Sequence, residues 1–150
     1  DLHKEYRRQR QMSIRDRDLM AGGNGNNFLT MLGWNRLLAG FIHDDELRCI
    51  TNQSSSVHYL SDIDRIGGAK TLLINVEEGV TIGAESRIND DSNQGLLVYF
   101  IDSYIGHGWV PVRAASRLLG KGEVVKLGNF KFTVLDTNKS GILFRLDSSK

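Results

Sequence analysis

Residues 94–113, QGLLVYFIDSYIGHGWVPVR, decide how this chain folds. After Gly95 comes an unbroken apolar run, Leu96-Leu97-Val98-Tyr99-Phe100-Ile101. Such a run lacks the alternation of a half-exposed strand and predicts a strand covered on both faces. It stops at Asp102-Ser103, and Gly106-His107-Gly108 turns the chain. Pro111, the one proline, cannot donate inside a sheet and makes a stiff corner. The chain therefore has one central strand, an abrupt exit and a bend.

Downstream, the clearest local signal is Gly128-Asn129 between 123–127 and 130–135, a two-residue hairpin turn. Pairing Leu127 with Phe130 also pairs Val125 with Phe132. It puts Val125, Leu127, Phe130, Phe132 and Val134 on one face. The same register sets Lys126 opposite Lys131, a pair tolerable only on the wet face. A second turn, Asn138-Lys139-Ser140-Gly141, returns the chain through 142–146, with Ile142, Phe144 and Leu146 pointing inward. Residues 114–119 read as a short helical turn.

Upstream, 57–60, 71–76 and 80–87 are strands separated by Gly67-Gly68 and Glu78-Gly79, and 47–50 is a short strand. Residues 28–39 predict a mostly buried helix, with Asn27 as N-cap and Gly40 just past its end. Gly33 inside it costs about 1 kcal/mol relative to Ala, which points to another backbone passing close. Residues 21–27 form a Gly/Asn loop without the Gly-Lys-Ser/Thr of a phosphate loop. Residues 1–20 are polar and charge-dense, and read equally as helix or extended chain. No repeat or low-complexity segment is present.

The 150 residues suffice for one domain with a real core, or for parts of two. With 40% hydrophobic and 25% charged residues the composition is that of a globular domain. A net charge of +1 gives no bulk field toward nucleic acid or membrane. Arg7, Arg8 and Arg10 have only Tyr6 interleaved, so they read as a solvated face rather than a nucleic-acid surface. No apolar run is long enough to span a bilayer. Because the chain begins with Asp1, it is expected to be a fragment or a processed piece, and a missing signal peptide carries no weight.

The single cysteine excludes an internal disulfide and a Cys-rich zinc site. Cys49 reads either as a buried free thiol or as half of a disulfide to an upstream partner. His3, His43, His58 and His107 are too far apart in sequence for a helical zinc pair. His107 reads as a turn histidine bonded to local backbone; as a ligand or base its nearest partner is Asp102. Glu85 and Arg87 share one strand face. They read as a cross-strand ion pair ahead of a catalytic carboxylate.

Several segments, in order and spacing, resemble secreted zinc metallopeptidases of the immune-inhibitor-A-like group. Asp1-Leu2 resembles the tail of the family's zinc motif, His-Glu-x-x-His-x-x-Gly-x-Pro-Asp-Leu-Tyr. Asp18-Leu19-Met20-Ala21-Gly22 resembles its D-x-M-x-G Met-turn segment. The stretch from Trp34 to Ile42 is similar to the helix end W-x-R-x-x-L-G-W, and Asp45-Glu46-Leu47-Arg48-Cys49 to the following strand. Glu85-Ser86-Arg87 matches a V-E-S-R strand, and 95–113 a GLLVY…GHG…P-V-R segment. Residues 119–134 resemble the closing hairpin.

The resemblance implies an α+β fragment. A helical remnant of a zinc-peptidase catalytic domain (1–48) precedes a mainly antiparallel β domain (49–150). It implies a secreted, extracellular protein whose intact form binds zinc and cleaves protein or peptide substrates through the N-terminal half. Asp1 falls at the third zinc ligand and Met20 beneath the metal. The zinc histidines and catalytic glutamate are absent from this chain, and zinc sites need three protein ligands plus water. The chain alone is therefore expected to bind no zinc and to be inactive. His3 stands where the family has an aromatic, and Phe41 where it has Trp. Two alternatives remain: a non-catalytic β-rich binding module, and a pseudoenzyme of the same family.

Overall fold

The computed structural model describes residues 31–51, 55–88, 94–104, 112–115 and 117–149. Two sheets dominate them. The first has the spatial order β1 (Leu47–Ile50), β3 (Thr71–Glu77), β4 (Val80–Ile88), β5 (Gln94–Asp102), β6 (Val112–Ala114). The β1–β3 pair is parallel and the others antiparallel. The second, fully antiparallel, runs β2 (Ser56–Ser61), β9 (Gly141–Ser148), β8 (Phe130–Asn138), β7 (Val124–Leu127). Helix among the described residues is limited to α1 (Gly33–Leu38) and one 3-10 turn at Asp44–Glu46. The expected α+β class is therefore only loosely met: the molecule is mostly β.

The sheets pack face to face through side chains of alternate parity. Leu72, Ile74, Ile82, Ala84, Leu96 and Val98 of the first meet Leu60, Phe132, Val134, Ile142, Phe144 and Leu146 of the second. The Phe132 and Phe144 rings lie 6.0 Å apart, centroid to centroid. Their burial supplies most of the driving force, at about 25 cal/mol per Å² of apolar surface. The opposite parity of the first sheet, including Leu73, Leu97, Tyr99 and Ile101, is covered by Leu32, Trp34 and Leu37. Strand β5 is thus buried on both faces, as its apolar run predicted. Leu47, on β1, belongs to the same second cluster, so the described part of 31–48 shares a core with the strands.

The hairpin register follows the sequence reading: Leu127 faces Phe130, Val125 faces Phe132 and Lys126 faces Lys131. Gly128 has φ +55 and among the described residues no non-glycine residue, Asn129 included, has positive φ, the sign pattern of a type II′ turn. At the second turn Asn138 Oδ1 accepts from the Ser140 amide (2.8 Å) and the Gly141 amide (3.1 Å). A bulge between Val134 and Asp136 adds one residue to β8, so the facing rows change parity there.

Two expectations are corrected. Residues 114–119 are not a helical turn where described. Ala114 pairs with Tyr99 in β6, and Leu119 exchanges backbone bonds with Leu96 (2.9 and 3.0 Å). The free edge of β5 offers these groups partners that one short turn cannot. The helix is also shorter than 28–39 at its start. Leu32 is extended (φ −57, ψ 146) with its side chain buried, and α1 begins at Gly33. Asn27 lies outside the described residues. The far end agrees: Gly40 has φ +74, its amide bonds Leu37 O (3.1 Å), and the Phe41 amide bonds Arg36 O (2.8 Å). That is a Schellman close.

Gly33 is where α1 touches the sheet. A Cβ there would overlap the Thr71 hydroxyl and stand 2.8 Å from Glu85 Oε2. The close approach expected at Gly33 exists, but side chains rather than backbone make it. Helix propensity alone favours Ala here by about 1 kcal/mol. Gly33→Ala is instead expected to destabilise the fold by about 1–3 kcal/mol through overpacking. Urea unfolding of the variant beside the parent checks the sign.

Candidate functional site

The described residues hold two features with chemical content: a buried polar anchor under α1 and an open cleft beside its C-terminus. The anchor is built on β4. Alternation along that strand puts Gly83, Glu85 and Arg87 on the α1 face, and Ile82, Ala84 and Ser86 toward the second sheet. Glu85 is fully buried and Arg87 is 1% exposed. Arg87 Nε donates to Glu85 Oε1 at 2.5 Å, and its Nη2 is paired with the same oxygen. Glu85 Oε2 accepts from the Gly33 amide (2.7 Å) and the Tyr99 hydroxyl (3.1 Å). Arg87 Nη2 also donates to Met31 O at 3.1 Å.

Two oxygens that each accept two hydrogen bonds satisfy a carboxylate that could not otherwise be buried. The arrangement also solves the start of α1. Leu32 has no side chain to cap the first amides. Glu85 takes the Gly33 N–H, and the Tyr99 hydroxyl donates to the same carboxylate oxygen. The strand thus caps the helix, in place of a residue just before it. Tyr99 fits because it lies over Gly83, where a Cβ would strike the ring. Burial, and then the Glu85 charge, push the Tyr99 hydroxyl well above the usual tyrosine range, so it stays protonated as a donor.

The expected cross-strand ion pair of Glu85 and Arg87 is therefore a pair within one strand, two residues apart. No solvent reaches Glu85, so it positions the chain and does not meet a substrate.

The cleft, of about 360 Å³, lies between the end of α1 with its following loop and the 61–69 loop. The latter is closed at its base by Ser61 N–H to Ala69 O (2.7 Å). Inside it, Asp62 Oδ1 accepts from the Asp64 amide, and Gly67 and Gly68 have positive φ. This projects Ile66 fully into solvent. Arg36 ties α1 to the loop, with Nη1 on Ile63 O (3.0 Å) and Nη2 on Asp64 Oδ1 (2.7 Å). Lys70 forms part of the wall at 2% exposure, its Nζ on Asp62 O (2.9 Å), and burial lowers its affinity for a proton.

Asp1 and Met20, the residues expected beside a metal, lie outside the described residues, as do His3, His107 and Pro111. Among the described residues no three His, Cys, Asp or Glu side chains come together to hold a metal. No described helix is long and apolar enough to cross a membrane. Cys49 is exposed on the edge strand β1 and free among the described residues, so the buried-thiol reading is corrected: only the two end residues of β1, Leu47 and Ile50, pack on the core. His58 is half-buried on β2, its Nε2 2.8 Å from Ser56 Oγ and its ring 5.6 Å from that of Phe144. Sequence reasoning placed Glu85 and Arg87 on one face, but missed the cleft. The signal for it was the cation-rich, glycine-closed stretch 65–70.

Glu85→Gln is expected to cost about 3–5 kcal/mol, because it leaves Arg87 buried without its counter-charge. Tyr99→Phe should cost about 1–3 kcal/mol by taking one hydrogen bond from the buried Glu85 carboxylate. Denaturant midpoints measure both.

Burial, with a smaller contribution from Arg48, holds the His58 pKa below 6.5. The unfolded chain then binds the extra proton first. The stability associated with neutral His58 is complete above about 6.5 and is lost as pH falls through that value. His58→Phe should flatten this part of the stability–pH curve, read from thermal midpoints between pH 5 and 8.

No family model, curated protein or solved structure matches this chain.

Proposed function

We propose that the chain is the C-terminal part of a secreted zinc-dependent endopeptidase of the immune-inhibitor-A-like group. In this reading the sandwich buttresses the catalytic half by gripping the segment that enters from it. The observation that carries the reading is the hold of Arg87 and Glu85 on Met31 and Gly33. Three quoted resemblances converge there. The V-E-S-R-like residues make the hold, the W-x-R-like helix is what they hold, and the Met-turn-like residues 18–22 lie shortly before it.

Zinc in the intact protein would polarise the scissile carbonyl and activate water. Asp1 would be one of its ligands, with Met20 as an apolar floor. The rest of this chain would orient and support, and a single carboxylate would hold no metal alone. A second reading, a non-catalytic binding module, is favoured by the open cleft, whose described lining lies between Arg36 and Lys70.

The test is the gene product that includes the residues encoded before Asp1. The expected outcome is a His-Glu-x-x-His there, bound zinc by elemental analysis, and peptide hydrolysis that stops on chelation. A degenerate motif with no bound zinc leaves a pseudoenzyme and overturns the peptidase reading.

A further inference from the structure

The cleft beside α1 has a charge pattern that selects its occupant. Lys70 is 2% exposed, and an ammonium has three N–H donors. Among the described residues its Nζ has one acceptor, Asp62 O at 2.9 Å. Its other two donors have no acceptor among the described residues and face the cleft, where an anion can take them. Arg65 stands on the loop at the cleft with no side-chain acceptor among the described residues, whereas Arg36 is already committed to Ile63 O and Asp64.

Among the described residues the lining holds Arg36, Arg65 and Lys70 with Glu46 and Asp64, and the Asp62 carboxylate also attracts Lys70. So close a balance takes at most one negative charge and disfavours a doubly charged phosphate. Phe41 and Ile66, both strongly exposed, form apolar jaws at the opening. A cleft of about 360 Å³ is at the small end of ligand sites, enough for one or two residues. Glu46 and Asp64 already accept from the His43 amide and from Arg36, but a carboxylate has further lone pairs, and a peptide backbone offers N–H groups to them where an alkyl chain offers none.

We propose that the cleft between α1 and the 61–69 loop binds the free C-terminal carboxylate of a peptide that ends in an apolar residue. The carboxylate meets Lys70 and Arg65, and the last side chain sits between Phe41 and Ile66. This site stands on its own geometry and does not depend on the peptidase reading.

The experiment titrates the full chain, followed by amide NMR, with N-acetyl-Gly-Leu as the free acid, with its C-terminal amide, and with octanoate. The free acid should saturably shift the amides of Phe41, 63–67 and Lys70. The amide should bind about tenfold more weakly or less, since it lacks the charge-assisted bonds. Octanoate should also bind more weakly. Lys70→Met should abolish binding. Arg65→Gln, at an exposed position that leaves the spectrum folded, should weaken it several-fold and decides the matter if Lys70→Met does not fold. Equal binding of acid and amide, octanoate as tight as the peptide, an unaffected Arg65→Gln, or no saturable shift at the cleft overturns the proposal.

Discussion

The Glu85 carboxylate is buried between a strand and a short helix, and its two oxygens accept from Arg87, Gly33 and Tyr99. Taking a carboxylate and a guanidinium out of water costs several kcal/mol for each ion, and only near-complete hydrogen bonding returns it. That requirement fixes the neighbourhood. The amide of residue 33 must approach Glu85, so that residue has no side chain. Tyr99 must reach over the adjacent strand, so Gly83 is bare beneath it. The first amide of α1 needs an acceptor, and the strand supplies it. The polar cluster therefore sets the place and start of the helix more firmly than the helix's own propensity does.

Around this anchor the first sheet is covered on both faces, which most antiparallel sheets are not. On one side the second sheet provides a broad apolar contact. On the other, among the described residues, the segment from Met31 to Leu38 covers it together with Leu118, and that segment has a specific attachment. Leu32, Trp34 and Leu37 give area, and the hold on Met31 and Gly33 gives position. The pairing is unlike an exposed ion pair such as Lys121 with Asp136, where water and salt screen most of the gain.

The same helix makes the open feature on the surface. Its last turn ends in a left-handed glycine, and Arg36 reaches from it to the 61–69 loop. The cleft thus lies between two elements whose separation is set by backbone and guanidinium bonds. An internal anchor and an external recess share one short helix. A change in how α1 seats on the sheet would reach the cleft through Arg36.

The strands and the C-terminal hairpin were legible in the residue pattern, because period-two alternation and Gly-Asn or Asn-x-x-Gly turns act over neighbouring positions. The register from Val125 to Phe132 followed from the turn alone. Glu85 and Arg87 could be assigned to one face for the same reason. Their partners could not: Gly33 is 52 positions from Glu85 and Met31 is 56 from Arg87. Local pattern carries no information across that distance. The apolar run from Phe28 therefore read as a longer helix than the described segment contains. The cleft was hidden likewise, since its walls come from α1, the 41–46 loop and the 61–69 loop. The sequence by itself determined the strands, their turns and which side chains face inward, since those are short-range consequences of steric and hydrophobic periodicity. Only tertiary structure decided that a strand caps the helix and that a buried lysine lines an open cleft, because burial and hydrogen-bond satisfaction are properties of chains already brought together.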